Sequence, residues 1–340
     1  MDAKKILSRI RRDNFMHPRF AEAYKRAHAH AVFGQPGTVV MLLGATRVGK
    51  TTLSKLLEAN ITGESPGHLA EIPLIRVEAA TTDQGFISSK YLCLRMLQAL
   101  RHPFYEGEGY KPRWSDSETT LRTHIDRALR SRSTKYVFID EAHHLLRNKN
   151  ARNIGAALDT LKCLANEAGV TLVLFGGYEL LRTCFESAHL NGRSTIVDFR
   201  NYQINESDIA TYDAILASID PYLPWQKGQS LIQHRQLIYA GTLGCYGLLI
   251  HWISAAIADM AASGSKALSA KHFMATKLQE QLNPIREDIA MGAQLMHKLD
   301  PVISERSSKS QDKVVQDKRA GKRRKPGTRK PHRDPVGRAQ

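Results

Sequence analysis

Residues Met41–Leu53 read MLLGATRVGKTTL. An apolar run leads into Gly44-Ala45-Thr46-Arg47-Val48-Gly49-Lys50-Thr51, which fits the pattern G-x-x-x-x-G-K-[ST]. The residues that follow have helical composition, so a strand, a glycine-containing loop and a helix come in succession. Glycines let backbone N–H groups turn inward around phosphate oxygens, and the start of a helix adds the positive end of its dipole. The stretch predicts a phosphate-binding loop.

Each part of this loop has an expected role. The Lys50 ammonium contacts the β- and γ-phosphates of a nucleotide, and the Thr51 hydroxyl is a ligand of Mg²⁺. Backbone groups from Gly44 to Thr51, together with Thr52, surround the phosphates. We therefore expect ATP and Mg²⁺ as ligands. The alternative is a chance match in a glycine-containing turn.

A second stretch ends in two acidic residues. Tyr136–Glu141 reads YVFIDE, an apolar and β-prone run of the kind found in a central parallel strand. We predict that Asp140 orders the Mg²⁺ shell from the carboxyl end of this strand, and that Glu141 polarises the attacking water as general base. The alternative is a pair of acids that cap the helix predicted to follow at His143.

Five apolar, β-prone runs alternate with helical segments along the first 200 residues. They cover residues 38–43, 73–78, 136–141, 170–175 and 194–199. This alternation predicts an α/β fold with a doubly wound parallel sheet. A strand directly after the Asp140–Glu141 strand indicates the class of P-loop NTPases that includes the AAA+ ATPases.

Four segments are expected along the chain. Residues 1–36 form an N-terminal helical segment, 37–202 the α/β nucleotide-binding core, 203–285 a small α-helical lid, and 286–340 a helical end followed by a disordered basic tail. Ala267–Leu282 is predicted to be one helix of the lid. Beyond about residue 300 the apolar content is too low for a core.

The chain is basic, and its charge is unevenly distributed. Its net charge is +16, and residues 303–340 contain 13 Lys and Arg against 4 Asp and Glu, so they supply +9. A basic tail favours a polyanionic partner such as nucleic acid, or else is a solubilising extension. The four cysteines form no C-x-x-C motif, and no apolar run reaches about 18 residues. We expect a cytoplasmic protein without a membrane span.

Several of these stretches together resemble one family. His17-Pro18-Arg19-Phe20, the Gly44–Thr51 loop, IDEAHHL at 139–145 and the Leu161–Asn166 segment that leads into VTLVLFGG look like the TniB/TnsC AAA+ ATPases of Tn7-like and Tn5053-like transposons. The resemblance covers roughly residues 10–262. It implies ATP bound between neighbouring subunits, and a homo-oligomeric ring or filament on double-stranded DNA. It also implies a targeting partner of the TniQ/TnsD type and stimulation of a DDE transposase.

The resemblance also implies further site residues. An arginine finger just before the fifth strand corresponds to Arg193, with Arg182 and Arg200 as alternatives. DNA contacts in the family come from loops of the α/β core. Here these are residues 81–84 and the Lys111–Arg113 loop, and the candidate DNA-binding residues are Lys90, Lys111 and Arg113.

Two departures from the family pattern bear on catalysis. The polar side chain expected at the end of the fourth strand (sensor 1) is replaced by Gly176-Gly177, with Tyr178 as a possible substitute. The lid segment Gly241–Gly247 has no sensor 2 arginine. We therefore expect a slow ATPase that uses nucleotide as an assembly switch.

Three functions follow from these observations. The first is an ATP-dependent, DNA-binding transposition regulator. The second is a replication-initiator or helicase-loader ATPase of the same fold. The third is an ATP-switched scaffold whose tail binds a protein.

Overall fold

The computed structural model describes residues 5–6, 8–10, 16–63, 70–79, 89–105, 116–146, 156–182, 194–277 and 282–299. The chain divides into two compact units, Met1–Leu295 and Met296–Gln340. The second unit is described only at residues 296–299, which are helical. The predicted basic tail therefore lies outside the described residues.

Five parallel strands form one sheet in the order β2-β3-β4-β1-β5. They span Val39–Leu43 (β1), Leu74–Glu78 (β2), Tyr136–Asp140 (β3), Thr171–Gly176 (β4) and Ser194–Asp198 (β5). The register pairs Leu43 with both Gly176 and Asp198, and Glu78 with Asp140, so these strands end at one edge. Strand β4 lies between β1 and β3. The predicted doubly wound P-loop NTPase fold is confirmed.

Helices connect the strands and then continue beyond the sheet. They span Pro18–Phe33, Lys50–Gly63, Ser89–Ala99, Glu118–Ser131, Ala156–Ala168, Glu206–Ile219, Arg235–Thr242, Tyr246–Ala262 and Ala270–Ala275. Short 3₁₀ helices cover Ala142–Leu146, Tyr178–Leu180 and Asp220–Tyr222. Residues 282–295 are also helical, and we call them the C-terminal helix.

Strand β1, an interior strand of the sheet, is buried along its whole length. All five residues of β1 are buried, as expected for a strand covered on both faces. On one face, Val40 and Leu42 share a cluster with Phe20 of the helix Pro18–Phe33 and with Leu53 and Leu57 of the helix Lys50–Gly63. Because the strand before the loop and the helix after it are both held in this cluster, the packing fixes the position of the loop between them.

A second apolar cluster holds together the helices between Glu206 and Ala275, which we call the lid. Its largest fully buried side chain is Trp252, and Ile6 and Ile10 of the N-terminal segment belong to the same cluster. Two lid helices are joined by a turn in which Leu243 and Gly244 have φ of 51° and 67°. A Cβ on Gly244 would overlap the backbone of Tyr202, so this turn requires glycine.

The predicted helix Ala267–Leu282 is wrong, because the helix observed there spans only Ala270–Ala275. Leu268 is tied into a β-bridge with Trp225, and its N–H donates to the carbonyl of Pro224 at 2.7 Å. Ser269 then begins the helix in a reciprocal capping box with His272. Residues 276–277 are not helical, and residues 278–281 lie outside the described part. Tertiary hydrogen bonds thus outweigh the helical composition.

Within the described ranges, no single helix has the length and apolar character needed to cross a bilayer. The pair Arg235–Thr242 and Tyr246–Ala262 meets the test together, with a bend of 114° between them.

Candidate nucleotide site

The loop after β1 has the backbone shape that its glycines permit. Arg47 and Gly49 have positive φ, 66° and 121°, and at 121° a side chain would be strained. A Cβ on Gly44 would overlap the carbonyl oxygen of Phe199, and the Gly44 N–H donates to the carbonyl of Gly176 at 3.2 Å. The loop is therefore anchored on the ends of both neighbouring strands.

Lys50 begins the helix after the loop and is buried. Its ammonium donates to the carbonyl oxygens of Gly44 and Ala45 at 2.8 and 2.9 Å. Burial lowers the pKa of Lys50, while Glu141, Asp288 and Asp140 act in the opposite direction. The ammonium is thus a buried cation that faces acidic groups.

Asp140 and Glu141 stand at the end of β3, on the same edge of the sheet. Asp140 is 4% exposed, and its Oδ1 accepts the Glu141 N–H at 3.0 Å. Glu141 has a φ of 51°, which turns the chain sharply out of the strand. His143 in the following 3₁₀ helix places its Nδ1 3.3 Å from Glu141 Oε2. The carboxylate of Glu141 therefore lies beside an imidazole at the mouth of the site.

Two sets of side chains have the chemistry of a cation site. Thr51 and Asp140 offer hydroxyl and carboxylate oxygens next to the phosphate loop, and these hard donors fit Mg²⁺. Glu141, His143 and His144 bring donor atoms within 4.8 Å of one another, a mixed nitrogen and oxygen set that fits softer divalent cations.

A polar cleft of about 600 Å³ runs along the phosphate loop. It is lined by Thr46, Arg47, Gly49, Lys50, Thr51, Thr52, Glu78, Glu141, His143, His144 and Gly247. The predicted loop residues Lys50 and Thr51 and the predicted base Glu141 thus line the same cleft. Glu78, the two histidines and Gly247 were not predicted from the sequence.

An apolar cleft of about 240 Å³ adjoins the polar one. Phe20, Val48, Tyr246 and Ile250 line it, and it shares Gly49, Thr52 and Gly247 with the polar cleft. Phe20 belongs to the HPRF stretch that the sequence singled out. Nothing in the sequence around Tyr246 and Ile250 predicts that they line a cleft, because they reach it only when the lid packs against the loop.

Beside this apolar cleft, two contacts connect the start of the helix Pro18–Phe33 to other elements. One reaches the lid, and the other reaches the segment that leads into the lid. Arg19 forms an ion pair with Asp208 at 2.7 Å, and the buried His17 Nδ1 lies 3.0 Å from the Tyr202 hydroxyl. Burial lowers the pKa of His17 to about 4, so the ring is neutral at pH 7. The lid also touches the loop directly, since a Cβ on Gly247 would overlap the carbonyl oxygen of Arg47.

The end of β4 carries no polar side chain at Gly176 and Gly177. The next residue, Tyr178, directs its hydroxyl to Asp198 Oδ1 at 2.9 Å. Arg200, an alternative finger residue, pairs with the other oxygen of Asp198 at 3.2 Å. Arg182, the second alternative, places Nη2 3.4 Å from the Met291 sulfur. Both arginines thus contact groups of their own chain.

The remaining predicted residues are not brought to the cleft by the described structure. Arg193, Lys111, Arg113 and residues 81–84 lie outside the described residues. Lys90 is in the helix Ser89–Ala99 and lines neither of the two clefts. Asp288 was missed by the sequence reading, although it reaches the phosphate loop and accepts the Thr46 N–H at 3.2 Å.

The fold has counterparts among known proteins. Residues 34–184 match the AAA domain family. ORC2 of Aeropyrum pernix, solved in ADPNP–ADP complexes, is similar with a TM-score of 0.54 and 16% identity over 80% of this chain and 71% of that one. ORC1 of the same organism, solved in complex with DNA, has a TM-score of 0.57 and 15% identity over 81% and 68%.

A third similar structure is Cdc6p of Pyrobaculum aerophilum, with a TM-score of 0.50 and 14% identity over 80% of this chain and 69% of that one. No curated protein sequence matches the chain. At these identities the similarity concerns the fold. The chain has the fold of an AAA+ P-loop NTPase.

Proposed function

We propose that the protein is an ATP-dependent DNA-binding ATPase that assembles on duplex DNA and regulates transposition. One observation carries the nucleotide part: Lys50, Thr51 and Glu141 line a polar cleft that continues into an apolar one. A nucleotide has the same division, with charged phosphates at one end and a flat, largely apolar base at the other. The solved complex of ORC2 with ADPNP and ADP supports this assignment.

The phosphates of ATP occupy the polar cleft, where Lys50 and the N–H groups of the loop neutralise their charge. The base occupies the apolar cleft against Phe20, Tyr246 and Ile250. Thr51 and Asp140 would hold Mg²⁺, which would supply positive charge against the charge of the phosphates. Glu141 accepts a proton from the water that attacks the γ-phosphate.

Hydrolysis is slow in this proposal. No side chain is present at Gly176 or Gly177 to orient the water, and the Tyr178 hydroxyl is bonded to Asp198. An arginine from a neighbouring subunit completes the site. We assign this role to Arg193, and a finger of this kind contributes about 10³–10⁵ in rate. ATP at a subunit interface then drives assembly into a homo-oligomeric ring or filament, and hydrolysis releases it.

The DNA part of the proposal rests on charge. The net charge is +16, and residues 303–340 supply +9 of it. The solved complex of ORC1 with DNA, which has a similar fold, supports a DNA partner. Lys90, Lys111 and Arg113 contact the phosphate backbone, so that binding is tolerant of sequence and weakens with salt.

The transposition role rests on the HPRF and IDEAHHL stretches and their resemblance to the TniB/TnsC ATPases. In this role the cytoplasmic assembly marks target DNA, receives a TniQ/TnsD-type targeting factor and activates a DDE transposase. The similarity to ORC and Cdc6 proteins favours a second candidate, a replication-initiator or helicase-loader ATPase. A protein scaffold is the remaining alternative.

The test combines assembly on DNA with transposase stimulation. Full-length protein is mixed with duplex DNA and a slowly hydrolysed ATP analogue, examined by electron microscopy, and titrated for DNA affinity at rising salt. We expect ordered assemblies that require the analogue and are lost in Lys50→Ala. Addition of a DDE transposase then distinguishes the candidates, because only a transposition regulator increases strand transfer. Assembly that occurs equally well without nucleotide and without DNA contradicts the proposal.

A further inference from the structure

The C-terminal helix places a carboxylate on the phosphate loop. Asp288 Oδ2 accepts the backbone N–H of Thr46 at 3.2 Å, and the backbone N–H of Tyr178 donates to the same carboxylate. A Cβ on Gly177 would lie 3.9 Å from Asp288 Oδ1. Asp288 is therefore set between the start of the loop and the end of β4.

One face of this helix is fitted to the core around that carboxylate. Gly292 lies one turn after Asp288, and a Cβ there would overlap the ring of Tyr178. The Met291 sulfur lies 3.4 Å from Arg182 Nη2, and Ile285 on the same face is buried. Positions 285, 288 and 292 form a stripe at helical spacing. The contact of Asp288 is therefore part of a packed interface.

Asp288 interacts with the loop groups that bind phosphate in a P-loop, namely a backbone N–H and the lysine ammonium. Burial lowers the pKa of Lys50, and the charges of Glu141, Asp288 and Asp140 act to raise it. Burial raises the pKa of Asp288, while the Thr46 N–H and the Lys50 ammonium act to lower it. A backbone N–H and this ammonium are the donors that a P-loop uses for phosphate oxygens.

We propose that Asp288 competes with the γ-phosphate and thereby sets the selectivity of the site between nucleoside triphosphate and diphosphate. The inference rests on the proposed nucleotide function. The carboxylate lies at Thr46 and at the end of β4, and it acts on Lys50, which reaches the β- and γ-phosphates. A terminal phosphate there meets a like charge, so it binds only when the C-terminal helix moves away. A diphosphate lacks this group and leaves the helix in place.

The experiment compares Asp288→Asn with Glu287→Gln in the full-length protein. Both variants remove one negative charge from the C-terminal helix, but Glu287 is exposed, whereas Asp288 contacts the loop. Calorimetry measures the affinities for ADP and for a non-hydrolysable ATP analogue. We expect Asp288→Asn to tighten the analogue at least about tenfold more than ADP, within the usual range of coupling between sites. Glu287→Gln should leave the ratio of the two affinities unchanged.

A second variant and a structural readout separate charge from folding. Gly292→Ala overpacks the helix against Tyr178 without changing charge, and it should also favour the analogue over ADP. Hydrogen exchange of residues 282–295 in the wild type should rise with the analogue and remain unchanged with ADP. Equal effects of Asp288→Asn on both nucleotides, or an effect matched by Glu287→Gln, overturn the inference alone. Failure of every variant to bind nucleotide overturns the proposed function with it.

Discussion

The hydroxyl of Tyr178 donates to Asp198 Oδ1 at 2.9 Å and so connects the end of β4 to the end of β5. Burial raises the pKa of both groups, which keeps the tyrosine protonated as the donor. Arg200 contacts the second carboxylate oxygen of Asp198 at 3.2 Å. The Tyr178 hydroxyl is therefore bonded to a group outside the polar cleft, which argues against a role for this tyrosine as a sensor.

Tyr178→Phe should lower stability without changing catalysis. The variant removes one hydrogen bond to a mostly buried carboxylate, so we expect the free energy of unfolding to fall by about 1–3 kcal/mol. The turnover number for ATP should be that of the wild type, because the hydroxyl is bonded to Asp198. Urea unfolding and steady-state ATPase assays check both parts. A large fall in turnover with normal stability would identify Tyr178 as the missing sensor.

Glu141→Gln should separate nucleotide binding from hydrolysis. The amide keeps the shape of the side chain but cannot accept a proton, so we expect the ATPase rate to fall about 10²–10⁴-fold. Affinity for a non-hydrolysable ATP analogue should be retained, and assemblies on DNA should dissociate more slowly. Glu78→Gln is the matched control, since Glu78 lines the same cleft. A comparable loss of rate in Glu78→Gln would argue against a special role for Glu141.

Gly247→Ala should weaken nucleotide binding by separating the lid from the loop. The added methyl group would overlap the Arg47 carbonyl oxygen, so either the lid or the loop must shift. Overpacking of this kind costs about 1–3 kcal/mol, and we expect the affinity for ATP to fall about tenfold. Gly63→Ala is the control, because a Cβ there meets nothing within 4 Å. Equal affinities in the two variants would show that the lid contact is not part of the site.

His17→Asn should make stability less dependent on pH. Burial lowers the pKa of His17 to about 4 from its ordinary value of 6.5, so folding favours the neutral ring. Its contribution is complete above about pH 6.5 and is lost as the pH falls toward 4, an effect of about 3 kcal/mol. Asparagine preserves an acceptor for the helix start but does not titrate.

Urea unfolding at a series of pH values tests this prediction. The free energy of unfolding should fall less between pH 6.5 and 4 in His17→Asn than in the wild type. Carboxylates that titrate in this range are common to both proteins, so the difference isolates His17. The exposed His251→Asn serves as control. Identical slopes in His17→Asn and wild type would contradict the assignment.

The parts of the site that sequence could predict are those whose chemistry is local. The loop Gly44–Thr51 and the pair Asp140–Glu141 are contiguous motifs, each at the end of an apolar strand, and a parallel sheet brings such ends together. The apolar cleft depends on Phe20 and Tyr246, which approach only through packing of the lid. Neither segment's sequence identifies the partner against which its apolar side chains pack.

Asp288 illustrates the same limit for charge. It lies 242 positions from Thr46, and a single acid on a helix reads in sequence as a solvated side chain. Its orientation toward the loop depends on the packing of the C-terminal helix, in which Gly292 lies against the ring of Tyr178. The helix predicted at 267–282 failed for a related reason, since the hydrogen bonds of Leu268 come from a distant segment.

The left-handed backbone at Glu141 also bears on how this protein would respond to selection. A residue other than glycine at a φ of 51° costs of order 1 kcal/mol or more, whereas glycine adopts this conformation freely. A library screened only for heat resistance should therefore accumulate Glu141→Gly, and a library screened for turnover should reject it. At this position thermostability and chemistry favour different amino acids.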